Sequence, residues 1–241
     1  MTLPASQKLY AVIDGTWPAS VKQALGPWTI RLDAGGGSRV TAATAELPVT
    51  DADIPEAEQA MREATQTPLF MIREGDEALD AMLAARGYAV KDPVNLYAAP
   101  VEAMAQNRPP PVTSFEVWPP LAVQAEIWAD GGVGEARLAV MDRARHPKTT
   151  LLGRMNDRPA GTAYVGLAAD CAMIHALEIA KAHRRQGLAQ HLTRAAAFWA
   201  KDAGAAFLTL VTTQENVGAN ALYSSLGMTL VGHYHYRTLM E

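Results

Sequence analysis

Apolar and polar positions along the chain switch between two periods, and the switches mark the elements. Trp28 to Leu32 alternates with period two, the pattern of a half-buried strand. Gly35-Gly36-Gly37 then reads as a turn that leads into a strand over Arg39 to Thr44. Asp53 with Glu56 three residues later has the spacing of a capping box, which predicts a helix over Ile54 to Ala64. Pro68 to Arg73 reads as a further strand, and Ala78 to Arg86 as a helix closed by Gly87.

Three consecutive prolines, Pro109 to Pro111, forbid helix and favour an extended spacer. A boundary is therefore expected over 106–113, dividing the chain into a first unit, 1–105, and a second, 114–241. Beyond it, Pro120 to Trp128 and Gly134 to Arg143 carry helical patterns, and Thr149 to Asn156 with Pro159 to Leu167 reads as a hairpin turned at Asn156-Asp157. Met173 to Ile179 is an apolar run of the buried-strand type. A long helix over Gly187 to Asp202 follows, then a β-rich run, Ala206 to Thr212. Val217 to Leu226 is a helix ending at Gly227, and Met228 to Thr238 supplies the last strands. Such alternation predicts an α/β or α+β sheet with helices on its faces.

The two halves also echo each other. "ALDAMLAARGYAV" near the end of the first matches "GANALYSSLGMTL" near the end of the second. With Gly87 set against Gly227, Leu83 faces Tyr223 and Asp76 faces Asn216. Chance similarity of two short helices is the competing explanation.

Composition narrows the class of protein. The 241 residues carry a net charge of −4, which argues against broad nucleic-acid binding because phosphate neutralisation needs a basic face. No apolar run is long enough to span a bilayer, the first twenty residues lack the order of a secretory signal, and the single cysteine excludes an internal disulfide. These features predict a cytoplasmic protein. Cys171 reads as a small buried residue. The histidines are scattered and no metal-ligand spacing occurs, so no metal is expected.

The chemistry concentrates at "HRRQGLAQHL", residues 183–192. A strand gives way there to a helix through a short loop, and the first N–H groups of a helix lack internal acceptors. Together with the helix dipole they form an anion site. Gly187 lets a pyrophosphate approach the main chain, Ala189 keeps the first turn narrow, and Arg184 and Arg185 add charge. The pattern is Arg184-x-x-Gly187-x-Ala189, not the G-x-G-x-x-G of a dinucleotide fold.

The run Leu177 to Ala189 resembles the acyl-CoA-binding segment of the GNAT superfamily of N-acetyltransferases. Downstream, Asn216 to Met228, with Leu222-Tyr223 and Gly227, is similar to that family's second hallmark. The resemblance covers the second half; for the first half it rests on the repeat. It implies a mixed, mostly antiparallel sheet flanked by helices, with two GNAT-like domains in tandem, the first degenerate. It further implies acetyl-CoA as co-substrate. The pyrophosphate would lie on Arg184, Arg185, Gln186, Gly187, Leu188 and Ala189, the pantetheine arm along Leu177 to Ile179, and Asn216 would lie near that arm.

Acetyl transfer needs a deprotonated amine and a proton or hydrogen bond for the departing thiolate. The motif makes Tyr223 the candidate acid, the alternative being a helix anchor. His175 and Glu178 are candidate bases; regular alternation puts them on opposite faces unless a bulge intervenes. A satisfied core histidine and an arginine partner are their respective alternatives. Asn216 is also expected to cap its helix, while Asn220 reads as solvent-facing. One face of "HYHYR", 233–237, either touches substrate or packs at a sheet edge. Trp118 and Trp128 fit core packing better than a pocket mouth. The expected acceptor is a primary amine of a small molecule, amino acid or peptide, the acidic balance mildly favouring a cationic small amine, amino acid or peptide terminus over an anionic substrate. The assembly state is open, a homodimer included. A non-catalytic acyl-CoA sensor or scaffold is the rival reading, and a longer acyl group or hydroxyl acceptor a variant of the first.

Overall fold

A computed structural model describes residues 2–239. The chain opens with a helix that sequence reading missed, α1 (Ser6–Thr16), whose Leu9, Val12 and Ile13 are fully buried. The hairpin β1 (Val21–Leu25) and β2 (Trp28–Leu32) follows. Next come α2 (Ser38–Thr41), β3 (Thr44–Ala45), α3 (Ile54–Glu63) and β4 (Leu69–Arg73). Then α4 (Glu77–Ala85) leads to the long β5 (Ala89–Pro100), and α5 (Val101–Met104) precedes the proline segment.

The second half runs β6 (Ser114–Val117), α6 (Ala122–Asp130), α7 (Glu135–Arg143), β7 (Lys148–Met155), β8 (Arg158–Ala168) and β9 (Cys171–Ile179). A 3₁₀ turn over Lys181–His183 leads to α8 (Leu188–Asp202), β10 (Phe207–Thr213), α9 (Val217–Ser225) and β11 (Thr229–Thr238).

Two local readings need correction. Residues from Arg39 onward form the short helix α2 instead of a strand. Gly36 is packed so closely that a Cβ there would lie 2.7 Å from methyls of both Val40 and Val140, a constraint that Arg39-Val-Thr does not advertise. At α3, the Asp53 carboxylate accepts from Thr50 N and Oγ1 (2.7 and 2.6 Å), so it closes the preceding turn and not the helix.

β1, β2 and β3 make a small sheet. The other eight strands form one sheet in the order β4-β11-β5-β10-β9-β8-β7-β6, antiparallel except between β9 and β10. Strands of the two halves therefore interleave: β11 lies between β4 and β5, and β5 lies between β11 and β10. The repeat has a geometric counterpart: α4 and α9 are of equal length and 140 residues apart (217 less 77), and each connects two strands that a strand of the other half separates, β11 between β4 and β5 and β5 between β10 and β11.

Alternation along β9 builds two layers. Ala172 and Ile174 join the core under α8 with Leu192, Ala196 and Leu208, while Cys171 and Met173 join Leu9, Val12 and Ile13 of α1. Cys171 is buried as expected, and burial pushes its thiol up to about 12.

Candidate active site

β9 and β10 pair only from Cys171–Phe207 to Ile174–Leu210. Beyond that point they part, leaving the main chain of His175 to Ile179 without a strand partner on the β10 side. The gap is a cleft of ≈ 1080 Å³. Its walls include Leu177, Glu178 and Ile179 from β9, Arg184, Arg185, Gly187, Leu188 and Ala189 from the loop and α8, and Asn216 and Tyr223 from α9.

The loop is shaped for an anion. Arg185 and Gly187 both have left-handed backbone (φ 63° and 87°), and Gly187 stands directly before the first turn of α8, whose N–H groups lack internal acceptors. No atom lies within 4 Å of where a Cβ on Gly187 would stand, so that side of the loop is open to a ligand. Arg184 is used differently: Nε donates to Ile179 O (3.0 Å) and Nη2 to Glu178 Oε1 (2.8 Å), tying the loop to β9. The Gln186 side chain turns back to donate to Ala182 O (3.2 Å) and does not line the cleft.

The two candidate bases share a face, contrary to plain alternation. Ala176 has left-handed backbone (φ 47°), and the pairing with β8 shifts there: Tyr164 faces His175 while Thr162 faces Glu178. The extra residue of this bulge restores both side chains to the same side of the sheet. Trp128 of α6, fully buried, holds the distortion by donating from Nε1 to Ala176 O (2.7 Å). Gly131 makes room for the result, since a Cβ there would lie 2.6 Å from the Glu178 carboxyl.

His175 is buried, with both nitrogens engaged. Arg39 Nη1 lies 2.7 Å from Nδ1 and can only donate, so Nδ1 is the acceptor and the proton sits on Nε2. Nε2 donates to Thr16 Oγ1 (2.8 Å), which itself donates to Val12 O (2.7 Å). Burial, reinforced by the Arg39 charge, holds the imidazole well below its usual pKa, so the ring is neutral throughout the neutral range.

Tyr223 is 7 % exposed, and its ring packs on Tyr97 with centroids 6.0 Å apart. Burial alone raises its phenol to about 12. Asn216 caps α9 as expected, its Oδ1 accepting from Ala219 N (3.1 Å). Asn220 is not solvent-facing. Its Oδ1 accepts from Asn95 Nδ2 (2.8 Å) and Tyr97 Oη (3.0 Å) of β5, and its amide donates to Thr213 O (2.9 Å). The reason is the interleaved strand, which covers that side of α9.

The run 233–237 lies inside the sheet and not at its edge: Tyr234 and Tyr236 are buried and line a hollow that also holds Arg39, whereas His235 and Arg237 bind Asp80. Trp118 packs on Tyr164 and under Lys148. Arg39 is the cleft residue that sequence reading missed; no local signal joins it to a strand 136 positions away. Among the described residues no group of three His, Cys, Asp or Glu side chains is set to hold a metal, and no helix is long and apolar enough to cross a membrane.

Residues 109–228 match the acetyltransferase (GNAT) family. The chain carries a GNAT-family acetyltransferase domain. An uncharacterized N-acetyltransferase of Bacillus subtilis, YobR, is 23% identical over 96% of this chain and 97% of its own length. A GCN5-related N-acetyltransferase from Kribbella flavida superposes with a TM-score of 0.74 at 21% identity, over 98% of this chain and 96% of that one. A tandem GNAT protein from the clavulanic acid biosynthesis pathway does so at 0.59 and 14%, over 82% and 74%. At these identities the two structures speak for the fold, and the parted β9 and β10 of the GNAT domain form its central cleft.

Proposed function

We propose that this chain transfers an acetyl group from acetyl-CoA to a primary amine of a small molecule, amino acid or peptide, by direct attack of the amine on the thioester. One observation carries the reading: a single cleft joins the unpaired length of β9, the left-handed loop at Arg185 and Gly187, and Tyr223. The residues present fit a CoA-type ligand. The loop offers the free N–H groups at the start of α8 and a bare glycine to a diphosphate, and β9 offers free main-chain groups to an amide-bearing arm, as to an added strand.

Acetyl-CoA supplies the activated carbonyl; the chain supplies position and proton control. N–H groups of β9 polarise the carbonyl oxygen, a role that needs no side chain. Glu178 takes the amine proton, directly or through water, with Arg184 orienting its carboxylate. His175, locked between Arg39 and Thr16, positions the bulge and does not act as base. Tyr223 donates a hydrogen bond to the departing sulfur.

Within the same reading, 1–105 is a degenerate GNAT-like unit and 114–241 the catalytic one, joined through 106–113. The 140-residue repeat supports this, as does the likeness to a tandem GNAT protein. Leu83, fully buried, stands where Tyr223 stands in the second unit, so one coenzyme per chain is expected. A cytoplasmic address is part of the proposal.

Thiol release from acetyl-CoA across a panel of amines tests the activity, and calorimetry with CoA tests the stoichiometry. Tight binding with no release for any amine would leave the sensor reading; two equivalents bound would overturn the degeneracy of the first unit.

A further inference from the structure

A second hollow, of ≈ 200 Å³, adjoins the coenzyme cleft and shares Arg39, Val211 and Thr212 with it. Its remaining wall includes Gly37, Asp92, Arg137 and Tyr234. Arg39 and Arg137 are both half-buried, and neither has a carboxylate within ion-pair distance among the described residues. By contrast, Arg31, Arg143 and Arg237 are matched with carboxylates, of Asp14, Asp33 and Asp80 respectively.

These two cations are held in place by uncharged groups. The Arg39 guanidinium stacks 4.8 Å from the Trp17 ring centroid and gives one N–H to His175, which leaves further donors of its fork for the hollow. Arg137 gives Nη1 to Gly132 O (3.3 Å) and lies against Gly37, where a Cβ would stand 3.5 Å from its Nε. The other titratable groups facing the hollow are Asp92, which is exposed and bonded to neither arginine, and the phenols Tyr234 and Tyr236. Partial burial and the neighbouring Arg39 charge both disfavour the charged form of Arg137. Two unmatched guanidiniums in one small hollow are costly to keep unless an anion joins them. The chain has a net charge of −4 and so no shortage of carboxylates to pair them with.

We infer that this hollow binds the acceptor, and that the acceptor is a small amine carrying an oxyacid group, a carboxylate or phosphate ester, gripped by Arg39 and Arg137. The inference rests on the proposed acetyl transfer, narrows its acceptor class, and runs against the mild preference drawn from net charge for cationic over anionic substrates. A pocket's own charges outweigh a global balance because fields from distant surface charges are screened within about 10 Å.

The test compares matched acceptors by thiol release from acetyl-CoA: standard amino acids against their carboxamides, and phosphoethanolamine against ethanolamine. The acid member of one pair is expected to have the higher kcat/KM, by roughly tenfold to a hundredfold, as for a hydrogen-bonded charge; which pair responds tells carboxylate from phosphate. Arg137→Gln should abolish the preference by raising the acceptor KM and not the acetyl-CoA KM, while Arg137→Lys should retain part of it. Equal turnover of charged and neutral members overturns the inference and leaves acetyl transfer standing. Should no amine react, acetyl transfer falls, and melting of the CoA-loaded protein decides the rest. A rise in Tm with the same acids in wild type but not in Arg137→Gln supports the hollow as an anion site; no rise overturns it.

Discussion

Replacing Tyr223 by Phe deletes one oxygen and leaves the ring packed on Tyr97. Burial alone, with no hydrogen bond contributing, raises the phenol to about 12, so the oxygen supports no internal bond whose loss would weaken the fold. The stability change should stay within about 0.5 kcal/mol. Activity should respond very differently. A simple thiol titrates near 8.5, below the raised phenol at about 12, so full proton transfer from Tyr223 to the departing thiolate is uphill. On the proposed mechanism Tyr223 is then a hydrogen-bond donor to developing negative charge, and does not hand over its proton before the sulfur departs. A hydrogen bond to a charged group contributes about 1.5–3 kcal/mol. Its loss in the transition state alone lowers kcat by about tenfold to 150-fold. The assay is single-turnover thiol release at saturating acetyl-CoA and acceptor, with Tm measured alongside. An unchanged single-turnover rate would refute the assignment, and so would a rate loss matched by a collapse in Tm.

Other consequences can be measured as directly. Glu178→Gln should lower kcat/KM about a hundredfold or more, whereas His175→Gln should lower it far less, because burial and the Arg39 charge already hold that imidazole neutral. The reverse pattern of losses would exchange the two roles. Lys148 is buried and donates from Nζ to Met141 O and Ala144 O (3.1 and 2.7 Å) at the end of α7; Lys148→Met should cost about 2–3 kcal/mol in urea unfolding. Burial raises the pKa of Tyr10, Tyr88, Tyr164, Tyr223, Tyr234 and Tyr236. The unfolded chain releases these protons near pH 10 while the folded protein keeps them, so stability holds below about pH 10 and falls as pH climbs above it. Urea midpoints from about pH 8 to 11 would expose a flat response if the rings were not buried. Finally, a fragment of residues 114–241 lacks β5, which lies between β10 and β11, and should show no cooperative melt, whereas the whole chain should.

The shape of the loop before α8 and the cap of α9 could be read from sequence because their determinants are local. A left-handed Gly187, a helix start and an Asn cap each act within a few residues, so the loop at Arg185 and the cap at Asn216 follow from short stretches of chain. The repeat gave α4 and α9 their matching bounds for the same reason. What sequence left open depends on distant partners. Ala176 has nothing in its own chemistry that favours left-handed backbone; the Trp128 indole holds it there from 48 positions away and so puts Glu178 and His175 on one face. The fate of His175 was decided by Thr16 and Arg39, and that of Asn220 by Asn95 and Tyr97, all from the first half of the chain. Strand pairing is chosen by the total fit of a sheet rather than by neighbours in sequence. Only the folded chain, with β5 seated between β10 and β11, could bring those side chains together.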